Sequence, residues 1–196
     1  MTSMTLSFPQ SASTFLEAPP VKIGPVSLRP ASAGDVPFLR QLYRQTRDEE
    51  LAAVGWPEAQ RDAFCNSQFD LQHAHYIRQF PNAAFLIIAA RSNPVGRLYI
   101  DSAGKNIHII DISLLAAKRG SGIGSALLAE VKARAAMCGK PVTLHVLVAN
   151  QRARGLYERL GFVANIASEG MHIGMRWSGQ DRVTRSADRG QEGHGG

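Results

Sequence analysis

The chain contains only two cysteines, Cys65 and Cys138, and they lack the spacing of a metal-ligand set. No metal site is expected, and the two thiols fit a buried or half-buried place in a reducing cytoplasm. No apolar run approaches the ~20 residues of a membrane span, so no membrane partner is expected. There is no lysine-rich tract and no interleaving of basic and aromatic residues, which leaves nothing to imply nucleic acid. Residues 1–25 lack a basic n-region and an apolar h-region, so no secretory signal is expected there. Residues 178–196 have almost nothing apolar, too little to support a packed structure.

What is present suits one domain. The 196 residues are 44% hydrophobic, ordinary for a globular protein. The net charge is +6, from 22 basic and 16 acidic residues, and favours anionic ligands or an acidic partner surface. The expected division is a flexible Ser-, Thr- and Pro-rich leader over 1–25, a folded domain over 26–177 and a disordered tail over 178–196. A cytoplasmic location is expected.

The hydrophobic periodicity predicts an α/β chain with a mixed sheet. A short strand runs from Val26 to Arg29 and stops at Pro30. Asp35 is placed to cap a helix through Arg47, with Val36, Leu39, Leu42 and Tyr43 on one stripe. Trp56-Pro57 opens a second helix to about Phe80. Strands follow over 83–91, 95–101 and 107–114, the last two as a hairpin around Ser102–Lys105. A helix extends to about Cys138, where Gly139 and Pro141 stop it. A strand over 142–148, a short helix from Asn150 to Leu160 and two strands over 162–166 and 171–177 complete the pattern.

One segment carries chemistry. Arg119-Gly120-Ser121-Gly122-Ile123-Gly124-Ser125 follows the strand and opens the helix. Glycines let the backbone approach a ligand, and the first helical N–H groups are unpaired donors at the positive end of the dipole. That arrangement binds phosphate. It is not a P-loop, because Ser125 and Ala126 stand where a lysine is required. It is not the dinucleotide fingerprint either. The glycine register from Gly120 is wrong, and neither Glu130 nor Glu158 falls where the ribose acid belongs.

R-x-x-G-x-G at Arg119, Gly122 and Gly124 resembles motif A of the GNAT superfamily of N-acetyltransferases. Downstream, Asn150-Gln151-Arg152-Ala153-Arg154-Gly155-Leu156-Tyr157-Glu158-Arg159-Leu160-Gly161-Phe162 resembles that family's motif B, N-x-x-A-x-x-L-Y-x-x-x-G-F, at every fixed position. The resemblance extends from about Val26 to Trp177. It implies a GNAT fold, with a mixed, mostly antiparallel sheet flanked by helices. It also implies acetyl transfer from acetyl-CoA, as cosubstrate, to a primary amine in a ternary complex.

Residue by residue, the resemblance implies that Arg119–Ser125 grip the cofactor pyrophosphate. Backbone groups near Leu114 would meet the pantetheine arm, and Asn150 would contact the same arm or cap its helix. Arg119 would add charge or only brace the turn. Tyr157 would protonate the departing thiolate. Where the family places a base, this chain has His108 on one strand and His145 on another. Histidine suits that work near neutrality, although a water chain could also do it. Strand alternation puts Asp111 on the face opposite His108. The acceptor site is expected from the first two helices and the last hairpin, with His73, His75, Tyr76, Arg78, Glu49 and Glu50 as candidates. The acceptor could be a small molecule or a protein amine, and a homodimer is possible. A second reading is a CoA-binding regulatory or interaction module with little or no catalysis.

Overall fold

The computed structural model describes residues 6–9, 22–165 and 170–179. In chain order the elements are β1 (Lys22–Ile23), β2 (Val26–Pro30), α1 (Val36–Ala52), α2 (Glu58–Gln79), β3 (Ala84–Ala90), β4 (Asn93–Asp101), β5 (Ile107–Leu114), α3 (Ile123–Met137), β6 (Val142–Leu147), α4 (Gln151–Arg159), β7 (Val163–Ala164) and β8 (His172–Trp177). They build one eight-stranded sheet in the order β1-β2-β3-β4-β5-β6-β8-β7. Every neighbouring pair is antiparallel except β5 with β6. A parallel pair needs a crossover, and α3 supplies it.

Each face of the sheet has its own core. On one face α3 buries Ile123, Leu127, Leu128, Val131 and Ala135, spaced at helical intervals, against Ile88, Leu98, Ile109 and Leu144. On the other face Leu39 and Tyr43 of α1 and Cys65 and Phe69 of α2 meet Phe85, Ile87 and Tyr99. The strand β3 reads AFLIIAA and is covered on both sides, so its apolar residues run without alternation. Gly139 ends α3 at φ +63°, with its own amide and that of Lys140 returning to carbonyls of the last turn.

Three local expectations change. Asp35 does not cap α1. Its carboxylate takes two Arg29 guanidinium bonds, at 2.6 and 2.8 Å, and the Ser32 amide at 2.8 Å. The arginine takes up the carboxylate that the cap would have used. His73 is not a lining residue, because it is buried between Phe69 and Phe85. Its Nε2 lies 2.8 Å from the Ser7 carbonyl, and Phe8 packs edge-on against it at 4.7 Å. Within the leader, then, Leu6 and Phe8 lean on the second core. The sheet also gains β1, paired with β2 across Gly24 and Pro25, where too few residues stand to show a pattern. The expected tail from 180 onward and Ile166 of the expected strand lie outside the described residues.

Candidate active site

The glycine loop has the geometry its sequence requires. After a single turn at Ala116–Lys118, Gly120 and Gly122 take φ of +78° and +84°, a region costly for residues with a Cβ. Ser121 Oγ donates to the Lys118 carbonyl at 2.7 Å and ties the turn together. Gly122 is the N-cap of α3, and the Ala126 amide bonds its carbonyl at 3.0 Å. The amides of Ile123, Gly124 and Ser125 therefore have no carbonyl one turn back. Successive amides in mixed left- and right-handed conformation form an anion-binding nest at the positive end of α3. The donor set fits a pyrophosphate.

Arg119 belongs to the frame of this loop. Its Nε donates to the Leu114 carbonyl at 3.1 Å, and one Nη reaches the Gln45 carbonyl on α1 at 3.4 Å. The Gln45 side chain in turn accepts the Ala116 amide at 3.0 Å. Gln45 carries no motif, and only the folded chain shows that α1 braces the loop.

Beside the loop the sheet opens. β5 and β6 pair only over Ile107–Ile109 and Val142–Leu144, and beyond them the strands part. Gly96 lets the end of β5 lie close to β4, since a Cβ there would meet the Ser113 carbonyl at 2.4 Å. The helix α4 is set after β6 by Asn150, whose Oδ1 accepts the Ala153 amide at 3.0 Å. Asn150 is therefore the N-cap of α4.

Tyr157 is buried in the cluster that includes Ile123, Phe162 and, at its margin, Leu114 and Ala126. Burial pushes its phenol up to about 12, and the nearby Asp111 charge adds to the shift. The phenol stays protonated at neutral pH, the state in which it can donate.

The polar groups lie on the α1/α2 face. The register between β4 and β5 shifts at Tyr99/Ile100, a bulge in the ladder. The bulge overturns the simple alternation and brings Asp111 to the same face as His108. Asp111 accepts Arg97 at 2.7 and 3.1 Å and Ser113 Oγ at 2.8 Å. Arg97 also donates to Gln72 of α2 at 2.9 Å. Burial is the largest single influence and would lower the Arg97 guanidinium, but the charge and hydrogen bond of Asp111, with the nearby Tyr99 and Tyr76, together outweigh it and the net shift is upward.

His108 stacks on Phe80 at 5.7 Å, meets His145 edge-on at 5.4 Å and places Nδ1 3.0 Å from Thr143 Oγ1. Burial first, then the His145 charge, holds its pKa below the ordinary histidine value. His145 itself is exposed. The structure thus brings the first residue of α3, Leu114 and Tyr157 into one cluster, with Asn150 at the start of the helix that carries Tyr157 and the two histidines on the other face. Among the described residues no group of three or more His, Cys, Asp or Glu could hold a metal ion, and no helix is long and apolar enough to cross a membrane.

Comparison with known proteins places this geometry. The fold matches the PaiA N-acetyltransferase from Thermoplasma acidophilum in complex with coenzyme A, at TM-score 0.60 and 17% identity over 78% of this chain and 98% of that one. It matches the ribosomal L7/L12 alpha-N-protein acetyltransferase RimL at TM-score 0.58 and 18% identity, over 82% and 94%. The microcin C7 self-immunity acetyltransferase MccE, in complex with acetyl-CoA and AMP, matches at 0.59 and 17%, over 85% and 99%. No curated protein matches the chain by sequence. The profile of the acetyltransferase (GNAT) family matches residues 39–162, which include the loop, the opening in the sheet and α4. The chain belongs to the GNAT family of acetyltransferases.

Proposed function

We propose that this chain moves an acetyl group from acetyl-CoA to a primary amine by direct attack in a ternary complex. The observation that carries the reading is a buried, protonated Tyr157 in the same cluster as the first residue of α3, beside the parting of β5 and β6. The loop amides hold the pyrophosphate, and Leu114 and Asn150 line the path of the pantetheine arm. The neutral amine attacks the thioester carbonyl carbon, a C–N bond forms and the C–S bond breaks. The thiolate takes its proton from Tyr157. The proton lost by the amine passes to His108, held neutral by burial, and out through His145.

The PaiA and RimL neighbours, described as an N-acetyltransferase and an alpha-N-protein acetyltransferase, support an amine acceptor. One observation favours a second reading, a CoA-binding module without turnover. Asp111 is bound up in an ion pair with Arg97 and a hydrogen bond from Ser113, an arrangement that opposes its use as the base. CoA release with a panel of amines separates the two. Release with any amine supports the enzyme, and saturable CoA binding without release supports the module. In Tyr157→Phe we expect turnover to fall ~100-fold or more, the range for a general acid, with acetyl-CoA affinity kept. Unchanged turnover would remove Tyr157 from the role.

A further inference from the structure

The helix α4 touches the glycine loop at two points. Leu156 approaches Gly124, at 3.9 Å from where a Cβ would stand, and an Nη of Arg152 lies 3.4 Å from the same position on Gly120. Arg152 and Leu156 are one turn apart, so a single stripe of α4 covers the loop. Arg152 is exposed and makes no hydrogen bond or ion pair with the described residues. The neighbouring Arg154 is paired instead, to Glu158 at 2.8 Å. The loop's own arginine is also engaged, since Arg119 is bonded to the Leu114 and Gln45 carbonyls. The nest therefore offers partial charges from its amides, while a pyrophosphate carries full negative charge. The free guanidinium over the nest comes from the other motif.

We propose that Arg152 is a pyrophosphate ligand of the acyl-CoA cosubstrate, closing the nest from the α4 side. The assignment rests on the acyl-CoA reading above. A guanidinium fork matches two phosphate oxygens, which a single ammonium cannot do. Gly120 serves the fit twice, by its left-handed φ and by leaving room for the Arg152 head. Because Asn150 caps the first turn of α4, the same short helix that presents Tyr157 also grips the phosphate. Correct seating of the cosubstrate and correct placing of the acid are then one event.

The test is calorimetric titration of CoA, dephospho-CoA and pantetheine into the full chain, with acetyl-CoA kinetics beside it. In Arg152→Gln we expect CoA to bind ~10- to 100-fold more weakly, the range for charge-assisted hydrogen bonds. The loss should fall on the KM for acetyl-CoA rather than on kcat. The same factor should appear with dephospho-CoA, which keeps the pyrophosphate, and vanish with pantetheine, which has no phosphate. Arg152→Lys should recover part of the affinity. A factor that disappears with dephospho-CoA would move Arg152 to the 3′-phosphate and overturn the assignment. So would an equal loss in Lys118→Gln, a nearby exposed cation, since charge anywhere near the loop would then suffice. Unchanged CoA affinity in Arg152→Gln overturns this assignment alone. A wild-type chain that binds no CoA overturns the acyl-CoA reading and this assignment with it.

Discussion

Arg97 and Asp111 form a buried pair, with side chains 3% and 12% exposed. Each is the only charge in a short run of its strand, V-G-R-L-Y for Arg97 and I-I-D-I-S for Asp111, and that was legible in the sequence. Their contact was not, because it depends on a bulge that no residue type announces. In Asp111→Asn we expect a loss of about 3–5 kcal/mol by chemical denaturation, the cost of leaving a buried charge unpaired. The double variant Arg97→Met/Asp111→Leu should be less destabilised than Asp111→Asn, and a larger loss would show that the pair stabilises outright. His108 gives the second expectation. A base with a lowered pKa stays neutral to lower pH, so activity should fall only as pH drops below the ordinary histidine value. His145→Ala removes one of the causes that lower it, so the acid limb of kcat/KM should move up in pH. An unmoved limb would separate the two rings.

At the scale of the elements, the sequence was most informative where local chemistry decides. Glycines with a required positive φ, the Asn150 cap and the Gly161 stop at φ +82° stand where the motifs put them. It was least informative where an element leans on a distant one, as when α1 supplies Gln45 to the loop across 71 residues of chain. Gly96 belongs to the same class. Nothing local explains a glycine inside β4, but the 2.4 Å approach of the Ser113 carbonyl does. We expect Gly122→Ala to cost about 1–2 kcal/mol through its left-handed backbone, seen as a lower Tm. Because the strain sits on the nest, CoA affinity should fall with it. A Tm loss with full affinity would place the phosphate elsewhere.

For the whole molecule, an α/β chain with a mixed sheet followed from periodicity, while the eight-strand order and the one parallel step at β5/β6 are seen only in the folded chain. The role of the leader did not follow either, since a Ser- and Pro-rich stretch has no period to read. Phe8 meets His73 and Phe85, and Ser7 offers its carbonyl to a ring nitrogen that would otherwise be buried unpaired. Phe8→Ala should therefore lower stability by about 1–3 kcal/mol in thermal unfolding. An unchanged Tm would make the contact dispensable. The short pairing of β5 with β6 has a wider consequence. Three residue pairs are a crease between two panels, one carrying α1 and α2 and the other carrying α4. A long, thin guest lying along such a crease is a splint. Bound there, it would add contacts across a joint that three residue pairs alone hold.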